Sequence, residues 1–200
     1  MKEMFINSPK TQARQIQVLE TALEVFSEYG YRKTGMEDIA SRMNLAVGTL
    51  YRYAHDKQDL YQKAVAYGLA QWQENALLAA QKCTDPVLRF RTLCCSAFSY
   101  LREEPHLRRI LSADPSLFPL FEAEDPFTSI NNRSVKILQQ FIQEGVEAKV
   151  FSVSNAHAAA RILFSLYHVS IQKAYVLETG DEQKQFEQSL DLVLYGLLTR

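Results

Sequence analysis

Helix punctuation constrains this 200-residue chain more than any other feature. Ser8-Pro9 supplies a cap with proline at the first helical position. Ile16, Leu19, Leu23 and Phe26 then recur at helical spacing up to Gly30, which can close the helix in the left-handed conformation. Thr34 and Glu37 fit a capping box for a second, short helix that carries Ile39, Ala40 and Met43 inward, and Asn44 tolerates the positive φ that would end it. Only Asn44, Leu45 and Ala46 separate that helix from a third, expected over residues 47–54. Two helices joined so closely have the shape of a helix-turn-helix.

The punctuation continues to the C-terminus. Asp56 caps a long amphipathic segment reaching about residue 82, and Thr84-Asp85-Pro86 opens a helix that must stop near Glu104, because Pro105 restricts its predecessor. A short helix follows over residues 106–113, and Asp125-Pro126 begins another that lasts to about residue 148. Ser154 is expected to cap the next, which Gly180 ends, and Asp181 opens the last. With seven glycines, six prolines and no useful strand-like alternation, the expectation is an all-α fold of about nine helices. Residues 1–55 form an N-terminal three-helix bundle with the helix-turn-helix, and residues 56–200 form a larger helical bundle.

Totals exclude more than they suggest. A net charge of −1 gives no global attraction to polyanions, so any such binding must be local. Cys83, Cys94 and Cys95 suit neither a disulfide framework nor a zinc site, and the four histidines show no metal or triad spacing. No cofactor, metal or catalytic residue is expected. The start lacks a signal-peptide core and no apolar run reaches membrane-spanning length, so a cytoplasmic protein with no membrane partner is expected.

The stretch from Asn44 to Leu60, NLAVGTLYRYAHDKQDL, crowds hydroxyls, rings and cations onto a short helix. The second helix of a helix-turn-helix lies in the major groove with its N-terminal residues against base edges, while hydroxyls and cations reach phosphates. Lys57, at the mouth of the fourth helix, would strengthen a phosphate site at its N-terminal N–H groups, and Thr34 could serve the neighbouring strand. Charge adds little, with five basic to three acidic residues between Tyr31 and Lys57.

Phe26 with Gly30-Tyr31, Thr34, Met36, Ile39-Ala40, Gly48-Thr49-Leu50-Tyr51 and Asp56-Lys57 followed by Leu60 resemble, in order, the DNA-binding domain of tetracycline-repressor-like (TetR family) regulators. The resemblance implies a palindromic double-stranded DNA operator and a DNA-facing set of Thr34, Ala46, Val47, Gly48, Thr49, Tyr51, Arg52, Tyr53 and Lys57. Tyr51 and Lys57 would contact phosphates, and Thr49 a phosphate or base edge. Three positions depart from the family. Ala46 stands where a capping serine is usual, Val47 where a polar or basic residue is common, and Ala54 where a bulky ring is usual. Ala46 and Val47 are therefore expected to read apolar thymine edges.

The rest of the chain resembles the family in length and helical make-up alone. By analogy it would bind an unidentified small effector in a pocket drawn from Trp72, Phe90, Phe98, Tyr100, Phe118, Phe121, Phe141, Phe164, Tyr167 and His168. Arg133, Asn131 and Gln140 could supply polarity to it, with the solvent-facing surface the favoured place for each. The last two helices are too apolar to stand alone. Ala158, Ile162, Val169, Leu190, Val193, Leu194 and Leu197 suggest a face shared with a partner, in the family a two-fold homodimer interface. The implied function is a ligand-responsive transcriptional regulator, a repressor released from DNA by an apolar or amphipathic effector, with the fourth helix as connector. The competing reading is a small-molecule-binding or protein-interaction helical module whose DNA binding has degraded.

Overall fold

The computed structural model describes residues 9–113, 127–177 and 182–198. Among them the chain forms α1 (Pro9–Tyr29), α2 (Met36–Arg42), α3 (Val47–Leu50), α4 (Lys57–Ala80), α5 (Pro86–Glu103), α6 (Pro105–Ala113), α7 (Thr128–Glu147), α8 (Ala156–Leu177) and α9 (Glu182–Leu197). The all-helical expectation holds. The chain divides into two compact units, Met1–Gly68 and Leu69–Arg200, so α4 contributes to both. Sequence had placed the division at residue 55. The first unit runs further because Leu60, Tyr61, Ala64 and Val65, on the first half of α4, are buried.

In the first unit, α1 buries Val18, Ala22, Val25 and Phe26 at helical spacing. The Tyr61 ring meets Phe26 edge-on at 5.1 Å and lies 4.9 Å from Tyr31. Arg42, at the end of α2, pairs with both Glu24 and Glu28 of α1. Gly30 ends α1 at φ 81°, as expected.

The capping of α2 differs from the expectation by one residue. Gly35 is the N-cap, and its N–H donates to Asp38 Oδ2 at 2.7 Å. Thr34, one residue before the cap, turns inward and donates its hydroxyl to the Gly30 carbonyl at 2.9 Å.

The second unit surrounds Phe90, Leu101, Leu107, Ile142 and Ile171, all fully buried. Helix α5 packs on α6, α7 and α9, and α8 packs on α6, α7 and α9. Asp85 caps α5 by accepting from the Leu88 N–H at 2.7 Å. The side chain that caps α8 is Asn155, accepting from the Ala158 N–H at 2.9 Å, and not Ser154. After α7 the chain folds back, with the Val150 and Phe151 N–H groups both donating to the Gly145 carbonyl. Phe151 then sits over Gly145, and Ser152 N–H reaches the Leu197 carbonyl of α9 at 2.7 Å. The expected helix starts at Asp125-Pro126 and Asp181, and the stop at Gly180, lie outside the described residues.

Candidate DNA-binding surface and ligand cavity

The connection between α2 and α3 is a tight reversal. Asn44 adopts φ 53°, its N–H donates to the Ser41 carbonyl, and Leu45 N–H reaches back to Ala40 O at 2.8 Å. These bonds satisfy carbonyls that the end of a helix would leave unpaired. Helix α3 itself is a single turn. Its N-cap, Ala46, has the extended φ −68°, ψ 139° of a cap and no side-chain oxygen to complete it. Turns through Arg52, Tyr53 and Ala54 prolong it to the expected residue 54, with Ala54 N–H bonded to Leu50 O at 3.1 Å.

Leu50 and Ala54 face inward and are buried, which turns the opposite edge outward. Ala46, Gly48, Tyr51 and Arg52 are exposed there, and Val47, Thr49 and Tyr53 are half-buried beside them. This edge gathers seven of the nine residues expected against DNA. Thr34 does not join it, being 2% exposed with its hydroxyl committed to Gly30. Lys57 is half-buried, its Nζ 3.0 Å from the Tyr31 carbonyl oxygen and 4.6 Å from that ring's centroid.

A second lysine was not anticipated. Lys63 Nζ donates to the Tyr53 carbonyl at 2.9 Å and to Asp59 Oδ2 at 2.8 Å, fastening the end of the α3 turn to α4. Asp59 also accepts from the His55 N–H, while Asp56 caps α4 through the Asp59 N–H as expected. The Lys63 bond, then the His55 bond, hold the Asp59 carboxyl below its ordinary range. The i,i+4 spacing of Asp59 and Lys63 was the legible signal.

In the second unit, a cavity of about 110 Å³ lies among α4, α5, α7, α8 and α9. Of the expected wall residues, Trp72, Phe164, Tyr167 and His168 line it. The Trp72 ring lies 5.7 Å from Tyr167, and its indole N–H donates to the Ala97 carbonyl. Four others do not line it. Phe90 is buried against Phe151, and Phe98 stacks behind the wall on Phe186 at 4.4 Å. Phe141 is buried beneath the Arg89 guanidinium, and Tyr100 is half-buried away from the cavity. Each fills the space between helices, a role aromatic spacing alone does not distinguish from a pocket wall. Phe118 and Phe121 lie outside the described residues.

The cavity also has a polar side. Asn131 lines it rather than facing solvent, together with Gln73 and Ser134, which were not singled out. Gln73 is 9% exposed, with Nε2 donating to the Ile130 carbonyl at 2.8 Å and to Ser134 Oγ at 2.7 Å. Its Oε1 accepts from Arg133 at 3.0 Å, and Arg133 also reaches Glu74. Gln140 is exposed and donates to Glu144. Cys94 reaches the same cavity, fully desolvated, and that burial pushes its thiol far above the ordinary range.

Helices α8 and α9 carry an exposed apolar face. Ile162 is 63% exposed and Val169 51%, and Ala158 is exposed as well. Leu190, Leu194 and Leu197, expected beside them, are instead buried in the chain's own core, and Leu190 and Val193 line the cavity. The outward positions on α9 are Leu192, 76% exposed, and Tyr195, 75% exposed, with Leu166 adding to α8. Period-3.6 spacing identified both apolar helices but did not say which side of α9 faces inward. Among the described residues there is no metal-binding cluster, and no helix is long and apolar enough to cross a membrane.

Comparison with known proteins places this geometry. Residues 18–64 match bacterial regulatory proteins of the tetR family. An uncharacterized HTH-type transcriptional regulator, YezE of Bacillus subtilis, is 44% identical over 48 residues, which are 24% of this chain and 25% of that relative's length. The crystal structure of a TetR-family transcriptional regulator from Pectobacterium atrosepticum superposes with a TM-score of 0.72 at 26% identity, covering 96% of this chain and 97% of that one. FadR of Bacillus subtilis, solved in complex with stearoyl-CoA, has a TM-score of 0.76 at 19% identity over 91% of this chain and 98% of its own, a likeness of fold. The matched N-terminal segment and the nearly complete structural match to the Pectobacterium regulator lead to one conclusion: residues 18–64 are those of the bacterial regulatory proteins of the tetR family, and the chain has the fold of a TetR-family transcriptional regulator.

Proposed function

We propose that the protein is a homodimeric transcriptional repressor that leaves its palindromic operator when a small effector enters the second unit. The observation that carries this reading is the outward edge of the α2–α3 helix-turn-helix, where Ala46, Gly48, Tyr51 and Arg52 are exposed around half-buried Val47, Thr49 and Tyr53. The Tyr51 hydroxyl and the Arg52 guanidinium reach phosphates and fix register, while the apolar start of α3 meets base edges. Lys57 has ammonium protons beyond the one given to Tyr31, so it serves a phosphate while holding that carbonyl.

The exposed apolar residues of α8 and α9 support a two-fold dimer, because a patch of that kind ordinarily marks a protein interface. A two-fold dimer reads half-sites about 34–36 Å apart, one turn of DNA. The effector acts by linkage. A ligand that favours the non-binding arrangement weakens the operator complex by its differential affinity, typically about 1–3 kcal/mol. The stearoyl-CoA held by FadR supports a ligand role for this fold.

One observation favours the competing reading, a helical module with degraded DNA binding: the single-turn α3 starts at a cap with no side-chain acceptor. Anisotropy titrations of the full chain against fragments of its own upstream DNA, at several salt concentrations, separate the two. Tight binding to one fragment with a steep salt slope supports the regulator. Equal, weak binding to every fragment supports the module.

A further inference from the structure

The chemistry of the cavity wall narrows what can occupy it. Among the described residues that line it there is no Lys, Arg, Asp or Glu. Arg133, which is not among the lining residues, donates to Gln73 Oε1 and to Glu74. Cys94 stays a neutral thiol because burial opposes its ionisation. A charged ligand would therefore lose its hydration with the His168 imidazole as the one titratable base among the described lining residues, a large cost in a mostly apolar wall. The wall selects for an uncharged, largely apolar molecule.

One corner of that wall is polar and directional. Arg133 donates to Gln73 Oε1, and Gln73 Nε2 donates to Ser134 Oγ at 2.7 Å. The second Nε2 proton is taken by the Ile130 carbonyl, so Gln73 has no donor left for a ligand. Ser134 Oγ is an acceptor in this chain of bonds, and a hydroxyl that accepts still carries one proton to give. Each bond polarises the next, which makes the Ser134 hydroxyl a stronger donor than an isolated serine. Ser134 lines the cavity, so that proton is within reach of a ligand acceptor there.

We infer that the cavity binds a neutral, apolar small molecule with a single carbonyl-type acceptor, such as a ketone, ester or lactone, and that Ser134 donates the bond that recognises it. Gln73 and Arg133 are positioning residues, holding the hydroxyl rather than touching the ligand. The inference rests on the ligand-responsive reading above and names the class of its effector.

Three probes of matched chain length test it on the full-length protein at pH 8, where decanoate is ionised: 2-decanone, decanoate and decane. Trp72 is the only tryptophan and lies in the cavity wall, so its fluorescence reports occupancy directly. The expected order has 2-decanone binding about tenfold more tightly than decane, with decanoate weakest, the size of one well-made hydrogen bond. Ser134→Ala should lower 2-decanone affinity to the decane level and leave decane unchanged. Gln73→Met, which keeps volume but removes all three of its side-chain bonds, should reduce the ketone preference by a smaller factor. Circular dichroism confirms that both variants fold.

Decanoate binding as tightly as the ketone overturns the inference, as does an equal loss of ketone and decane affinity in Ser134→Ala, or no binding of any probe. Operator release is read separately. Serine-dependent ketone binding that leaves operator affinity unchanged upholds the ligand class and overturns the effector role instead.

Discussion

Lys57 Nζ lies 3.0 Å from the Tyr31 carbonyl oxygen and 4.6 Å from the centroid of the same residue's ring. One side chain at the start of α4 thereby fastens the α1–α2 connection through both a charge-assisted hydrogen bond and a cation–π contact. The two effects predict a double phenotype. Lys57→Met should cost about 1–2 kcal/mol of stability, discounted for partial exposure. The same change should lower the salt slope of operator binding by about one, the loss of a single phosphate contact. Denaturant melts and salt titrations check the two parts independently. A variant that loses stability and keeps its salt slope would assign Lys57 to architecture alone.

Two glycines separate backbone strain from steric overlap. Gly30 needs its positive φ, yet a Cβ there would meet nothing within 4 Å, so Gly30→Ala should cost about 1 kcal/mol from conformation alone. A Cβ on Gly145 would run into the Phe151 ring, which two hydrogen bonds to the Gly145 carbonyl hold in place. Gly145→Ala should cost about 3 kcal/mol. Pairing it with Phe151→Ala should cost less than the sum of the single changes, because the truncated ring no longer collides. Chemical denaturation of the four proteins measures this coupling.

The helices were legible because their signals are local. Asp56, Asp85, Gly30 and Asn44 act within one turn of where they stand, and each performs the expected task. Where two neighbours compete for one cap, local reading slipped. Gly35 displaced Thr34, whose hydroxyl binds the Gly30 carbonyl, and Asn155 displaced Ser154 by one position. The cavity was harder still. Phe90, Phe98 and Phe141 carry the same spacing signal as Phe164 and Tyr167, and only packing across α5, α7 and α9 decides which of them meet empty space. Gln73 and Ser134 are 61 positions apart, so no pattern within one helix could join them.

The inward and outward leucines of α9 should behave oppositely. Leu190 is 5% exposed, and Leu190→Ala should cost about 2–5 kcal/mol by leaving a void. Leu192 is 76% exposed, and its replacement should leave folding nearly unchanged while disturbing association. The double variant Ile162→Glu with Leu192→Glu places charge on both helices of the proposed dimer face. Sedimentation velocity should find it monomeric with helix content intact. A dimer that persists would move the interface elsewhere.

Access and reactivity diverge at the cysteines. Cys94 reaches the cavity, but burial raises its thiol far above the ordinary range, and the thiolate is the reactive species. Cys95 is raised as well, first by burial, while Cys83 is half-buried and shares a contact with Thr92. A thiol reagent at pH 8 should therefore modify Cys83 first, Cys95 more slowly, and Cys94 only on unfolding, as followed by peptide mass spectrometry. Modification of Cys94 in the native protein at the rate of Cys83 would mean that burial does not shield its thiol.

The start of α3 allows its stability and its specificity to be tested apart. Ala46 has the extended backbone of a cap, and the Thr49 N–H is already given to the Ala46 carbonyl, so Ala46→Ser would place a hydroxyl to accept from the Gly48 N–H without moving the chain. That change should raise stability by about 1 kcal/mol. Val47, one residue on, is half-buried at the leading edge and offers only methyl groups to a base. A thymine methyl suits that surface, whereas a base edge that needs a hydrogen bond would go unpaired. Val47→Ser should therefore weaken a thymine preference in operators selected from a random pool and leave melting nearly unchanged. If the wild-type selection shows no thymine opposite Val47, and the serine variant selects the same sequences, the apolar start of α3 serves packing and the reading falls to Thr49, Tyr51 and Arg52.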